Sequence, residues 1–215
     1  LNIIQKKLSY YDKRSVFDIH QRFEQTKKTI DTIKLYIPNC YIILCECSNL
    51  EYYEYIEKYF KNNVNVYFNF YNDHSIRSNI NSFYKGLGET SLLLKAIEFI
   101  NNNNLVFDNI FKISGRYYLN DDFDFNNYND NNNHFVIWDN NFNSYASLFY
   151  HIKFKYLNLL YKCFNDFFLK LKNGETLEIL LNYYFNLYMN FQNITILNKH
   201  NISGYLSTEG YFFTI

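Results

Sequence analysis

The residues best suited to chemistry sit where apolar runs end. The run at 110–113 stops at Ser114-Gly115-Arg116, which places a permanently charged guanidinium directly after a buried-looking segment. A guanidinium offers a fork of donors that matches phosphate or carboxylate bidentately. Arg22 and Lys85 could add charge-assisted bonds to the same anion. Lys85-Gly86-Leu87-Gly88-Glu89 opens a helical stretch, and a helix N-terminus attracts anions. Glu46 and Ser48 close another apolar run, and the Glu46 carboxylate could accept bonds from a ribose hydroxyl or a base. Plainer readings stand beside these. Gly86 and Gly88 could simply shape a turn, Arg116 could pair with Glu89 or Asp122, and Glu46 could be a solvated strand end.

Ordered elements must present those ends. LNIIQKKL, at 1–8, reads as a first strand ending near Lys7. RFEQTKKTIDTIKLYI carries Phe23, Thr26, Ile30, Ile33 and Ile37 near helical spacing and stops at Pro38, the only proline. CYIILCE is a continuous apolar run and reads as a buried strand. SNLEYYEYIEKYF reads as a helix capped by Ser48 or Asn49, and VNVYFNF as a strand with period two. YNDHSIRSNINSFY is expected to be a loop. KGLGETSLLLKAIEFI follows as a helix with an apolar face at Leu92, Leu93, Ala96, Ile97 and Ile100, and IFKIS is the fourth strand. The alternation predicts an α/β fold with a mostly parallel central sheet covered by helices, ligands lying at the carboxyl ends of the strands. The second half reads as mixed α+β. Short strands are expected at HFVIW and SYASLFY, and helices at KFKYLNLLYKCFNDFFLKL and NGETLEILLNYYFNLY, the latter capped by Asn173. Strands near 194–197 and 202–206 finish the chain. No Gly-, Pro- or Ser-rich linker interrupts it, so a single domain over 1–215 is expected.

Composition narrows the class. The 215 residues can enclose a substantial core, and 48% hydrophobic with 21% aromatic content argues against disorder. A formal net charge of +0 argues against a general polyanion binder, so no nucleic-acid partner is expected. The apolar runs YIILC and SLLL are too short to span a bilayer, and no signal-peptide pattern is present, so a cytoplasmic location is expected. The chain begins at Leu1, not Met, so a start upstream is expected. The Asn-rich runs at 101–104 and 130–133 read as padded loops. Cys40, Cys45, Cys47 and Cys163 lack the neighbours for a zinc set and read as small apolar residues of a reducing compartment.

The order RFEQT, IILCECS, KGLGE and KISGRYYL resembles nucleotide-sugar glycosyltransferases of the GT-A type. The similarity is to a group with a Lys-Ile-Ser-Gly-Arg-Tyr signature found in giant viruses and bacterial polysaccharide clusters. It covers roughly residues 2–119, with KISGRYYL its most specific piece and KGLGE weak alone. The resemblance implies a Rossmann-like GT-A fold, a nucleotide-binding half at 1–119, an acceptor-side half at 120–215 and, for a viral member, host cytoplasm. It implies that Arg22, Thr26, Glu46 and Ser48 line the base side, and that Lys85, Gly86, Gly88, Glu89, Lys112, Ser114, Gly115, Arg116 and Tyr117 contact the nucleotide sugar. Partners would be a nucleoside-diphosphate sugar and a glycan or glycoprotein acceptor. Many such enzymes hold Mg²⁺ or Mn²⁺ through Asp-x-Asp. Here Ser114-Gly115-Arg116 stands in its place, so Arg116 would neutralise the diphosphate while Gly115 lets the backbone approach. Asp122 and Asp124 form a formal Asp-x-Asp in an Asn/Asp-rich loop, where chance suffices. For an inverting transfer the base candidates are Glu175 and Glu178, at the start of a C-terminal helix, and Asp139, after the only tryptophan. Helix-dipole and surface roles compete for both glutamates. Tyr117, Tyr118 and Trp138 could stack on a base or sugar. A silent glycan- or nucleotide-binding domain is the main alternative. A methyltransferase fits less well, because no glycine-rich loop follows the first strand.

Overall fold

The structure, a computed structural model, describes residues 15–139, 144–189, 193–206 and 209–215. The strand expected at LNIIQKKL, with Lys7, lies outside the described residues.

Helix α1 (Ile19–Tyr36) starts at a capping box in which the Asp18 carboxylate accepts from the Gln21 amide and the Gln21 side chain accepts from the Asp18 amide. It ends just before Pro38, as its spacing predicts. Strand β1 (Ile43–Glu46), helix α2 (Glu54–Asn63) and strand β2 (Val66–Asn69) form one crossover unit, with β1 and β2 parallel. Helix α2 begins at Tyr53 without a side-chain cap, later than Ser48 or Asn49 would place it. The expected loop after β2 contains helix α3 (His74–Ile80), because Asp73 accepts from the Ser75 and Ile76 amides and caps it.

Helix α4 (Lys85–Asn102) leads to β3 (Asn109–Ile113) and β4 (Tyr117–Leu119), separated by the arginine turn. Strands β5 (Asn133–Asp139), β6 (Ser144–Tyr145) and β7 (Phe149–Lys153) follow, then helices α5 (Leu157–Lys172) and α6 (Leu177–Met189). Asn173 closes α5 and does not cap α6. Strands β8 (Ile194–Leu197), β9 (Ile202–Tyr205) and β10 (Phe212–Thr214) complete the order.

The sheet topology overturns the expected mostly parallel central Rossmann-like sheet of GT-A type. The architecture is mixed α+β. Among the described residues, β1–β2 is a separate two-stranded parallel sheet. Strand β3 pairs antiparallel with β7, β7 with β5 and β5 with β6, while β8 joins β5 in parallel. Strands β4, β9 and β10 form a third sheet, entirely antiparallel. Alternating strands and helices reveal crossovers but not which edge each strand will choose. Here β3 takes its partner from the later strands, whose short connections favour antiparallel pairing. The third and second sheets both cross the expected 119/120 division between halves.

The largest apolar cluster packs α4, α5 and α6 against Phe135 and Tyr150. A second cluster, around Tyr117, Tyr128 and Phe149, adjoins a polar group of three buried histidines. His134 Nδ1 lies 2.9 Å from His151 Nδ1, His151 Nε2 lies 2.9 Å from Asn109 Oδ1, and Tyr128 Oη lies 3.2 Å from His200 Nδ1. Burial holds His151 down to about 2 and His200 down to about 3, with the neighbouring His134 adding repulsion to both. Both are therefore neutral in the fold across the range where the unfolded chain takes up their protons. Stability contributed by these neutral rings is present above the unfolded value of 6.5 and falls as pH drops towards 3. Each ring adds up to about 1.4 kcal/mol per pH unit to that loss. Urea denaturation between neutral pH and pH 4 should show the decline, and His200→Phe should flatten it by about one proton. A stability equally pH-dependent in both proteins would refute this account.

Candidate functional site

Helix α1 is tied to the arginine turn by threonines three residues apart. Thr26 Oγ1 lies 2.9 Å from the Gly115 carbonyl, Thr29 Oγ1 donates to the Tyr117 carbonyl at 2.7 Å, and Thr32 Oγ1 accepts from the Leu119 amide at 3.2 Å. Spacing of three keeps them on one helical face. This register carries Arg22, one turn before Thr26, to the carboxyl ends of β1 and β3.

There, among the described residues, a cavity of about 750 Å³ opens. Its walls are β1 (Ile43, Cys45), β3 (Ile110, Lys112), α1 (Arg22, Ile33) and α4 (Glu89, Ile97). Most of the wall is apolar. The polar end gathers Arg22, Thr26, Lys85, Gly88, Glu89, Lys112 and Ser114-Gly115-Arg116, so the structure brings most of the sequence-derived candidates together.

Arg22 is the most unusual of them. It is 1% exposed, yet its Nε, Nη1 and Nη2 have no hydrogen-bond partner among the described residues. Burial, then repulsion from Arg116, lowers its pKa to about 9, against attraction from Glu46 and Tyr117. The group remains charged at neutral pH. A buried cation without hydrogen bonds is costly, which marks this position as one that an anion would relieve.

Arg116 is half-buried beside it. Its Nε donates to Tyr117 Oη at 3.1 Å, and its guanidinium carbon lies 4.9 Å from the centroid of the same ring. The turn holding it is short: the Arg116 and Tyr117 amides both donate to the Ser114 carbonyl, at 2.8 and 3.0 Å. Gly115 does not adopt a positive φ, so the backbone conformation alone does not demand glycine there.

Lys112 is buried among acceptors. Its Nζ donates to Glu89 Oε1, to the Ser147 carbonyl and to Ser114 Oγ, the last at 2.9 Å. Burial lowers its pKa and Arg116 adds to this, while Glu89 and Glu178 oppose it. Glu178 joins through Ser147, whose hydroxyl donates to Glu178 Oε1 at 2.6 Å.

Other candidates have structural duties. Glu46 is fully buried; its Oε1 accepts from the Cys47 amide at 2.8 Å and from Ser48 Oγ at 2.7 Å. Added Cβ atoms on Gly86 and Gly88 would lie 2.9 Å from Leu177 Cβ and 2.8 Å from Ile80 Cα, so both glycines permit close helix packing. Tyr117 is buried and packs edge-on against Phe213. Glu175 is exposed and lies 3.5 Å from Lys170. Asp139 ends β5 opposite Ser144 and does not line the cavity. Nor do Tyr118, whose ring sits 3.5 Å from Lys28 Nζ, or Trp138, which is exposed against Phe213.

The residues present do not fit a divalent ion. Near the arginines the cavity wall offers one carboxylate, Glu89, already bonded to Lys112. Asp124 caps a short 3-10 helix (Phe125–Tyr128) through the Asn126 amide, and Asp122 is exposed outside the cavity. No group of three or more His, Cys, Asp or Glu side chains among the described residues is placed to hold a metal. The four cysteines are free thiols, and no helix of the described residues is long and apolar enough to cross a membrane.

Sequence reasoning missed Thr29, Thr32 and Ser147. The threonines were legible as a polar stripe on the otherwise apolar face of α1, whereas Ser147 gave no local signal. Compared with known proteins, the chain matches no family model and no curated protein.

Replacing the buried charge tests the site directly. Arg22→Met should raise the stability of the ligand-free protein by about 1–3 kcal/mol in urea denaturation, because a buried guanidinium without hydrogen bonds among the described residues, repelled by Arg116, gives way to an apolar chain of similar length. A loss of similar size would show that Arg22 supports the fold.

Proposed function

We propose that the protein is a glycosyltransferase that takes a nucleoside-diphosphate sugar as donor, holds its diphosphate on Arg22 and Arg116, and passes the sugar to a glycan or protein acceptor. The observation that carries this reading is the buried Arg22 guanidinium without hydrogen bonds, beside a second arginine at the end of a cavity. Two planar forks of donors suit the oxygens of a diphosphate, whose negative charge grows as the sugar leaves. The arginines would then supply the electrostatic stabilisation that a divalent ion supplies elsewhere. Motif order supports the reading through KISGRYYL and RFEQT, which deliver these two arginines. It rests on those residues and not on a parallel sheet.

A second reading is recognition without turnover. It is favoured by the partners of the expected bases: Glu178 already accepts from Ser147 and Glu175 lies beside Lys170.

Melting temperatures measured with UDP, GDP, CMP and S-adenosylmethionine, each with and without Mn²⁺, test the shared binding step. A nucleoside diphosphate should raise the melting temperature without metal, by the equivalent of about 2.7 kcal/mol at a hundredfold excess over Kd. Arg116→Ala should remove most of that shift. Stabilisation by S-adenosylmethionine alone, or a diphosphate shift that survives Arg116→Ala unchanged, would contradict the proposal. Donor hydrolysis separates transfer from recognition.

A further inference from the structure

We propose that Glu89 is the base of the transfer, a role that rests on the glycosyltransferase reading. Glu175, Glu178 and Asp139, singled out in the sequence, do not line the cavity. Glu89 does, in the first turns of α4, and among the described residues it is the one carboxylate at the arginine end. The other acid of the wall, Asp108, precedes β3 at the far end.

The geometry around Glu89 fits the task. Oε1 accepts from Lys112 Nζ, and Lys112 is fixed in turn by Ser114 Oγ and the Ser147 carbonyl. One carboxylate oxygen is thereby locked to β3. The side chain keeps 31% exposure, and no hydrogen bond to Oε2 is formed by the described residues. A base needs this combination: a fixed position and a lone pair turned to the space where substrate enters. Lys112 is 8% exposed and its ammonium is shared among three acceptors, so it orients the carboxylate and does not reach substrate. Lys112 is thus a positioning residue.

The step balances without a metal. The acceptor oxygen attacks the anomeric carbon, and its hydroxyl proton passes to the Glu89 carboxylate. The bond from that carbon to the diphosphate oxygen breaks, and the electron pair leaves with the diphosphate. Arg22 and Arg116 meet the negative charge that develops there. A direct displacement of this kind inverts the anomeric centre.

Glu89→Gln keeps the size of the side chain and an acceptor for Lys112 but cannot take a proton. Hydrolysis of UDP-glucose, UDP-galactose and GDP-mannose, with water as acceptor, provides the assay. Glu89→Gln should bind the corresponding nucleoside diphosphate within about threefold of the parent while kcat falls about 100-fold or more. KM should change little, and the acidic limb of the pH–rate profile should disappear. Glu175→Gln, at an exposed position outside the cavity, should keep both rate and profile. Should Glu89→Gln melt below the assay temperature, Glu89→Asp decides instead: it retains the acidic limb at a reduced kcat. Unchanged turnover in Glu89→Gln, or an acidic limb that persists in it, overturns the role of Glu89 alone. A parent protein that no nucleoside diphosphate stabilises overturns the donor reading, and this proposal with it.

Discussion

A guanidinium withdrawn from water must find acceptors or an opposing charge, and among the described residues Arg22 finds no acceptor. That constraint organises the rest of the site. Glu46, buried and already engaged by the Cys47 amide and the Ser48 hydroxyl, supplies an attractive field. Arg116 supplies an opposing one, and the two cations share one end of a cavity. A fold tolerates such repulsion when the positions are held by other interactions and when an anion shares the space in the working state.

The holding interactions are mostly uncharged. Thr26, Thr29 and Thr32 fasten α1 to the backbone that follows β3, which fixes the register of Arg22 against the arginine turn. Lys112 fastens Glu89 on α4 to Ser114 and Ser147, and Ser147 continues the link to Glu178 on α6. Elements from both halves of the chain therefore meet at the polar end. Gly204 shows how close the packing is on the outer side: a Cβ there would lie 2.3 Å from the Tyr117 ring and 2.6 Å from the Arg116 carbonyl.

The sequence was informative where the signal was local. The long helices followed from apolar spacing, and Pro38 marked the end of α1. The abrupt change from an apolar run to Ser114-Gly115-Arg116 correctly located the end of β3. Strand partners were not legible, because pairing depends on edges contributed by distant segments, and β3 joined β7 in place of a parallel neighbour. Helix α3 was hidden in a polar stretch and depends on the Asp73 cap. Gly86 and Gly88 also allow close packing against Leu177 and Ile80, a fit that only the tertiary structure reveals. The buried histidine group was equally silent, since isolated histidines carry no periodic signal.

The central claim is that the bare Arg22 guanidinium is the receptor for a phosphate-bearing ligand. The most direct measurement is the side-chain Nε–Hε resonance of Arg22, assigned through Arg22→Lys and followed by nuclear magnetic resonance during titration with pyrophosphate. The account predicts a saturable displacement of the Arg22 signal, accompanied by that of Arg116, with arginine signals elsewhere unmoved. An Arg22 signal that stays fixed while pyrophosphate binds would contradict it.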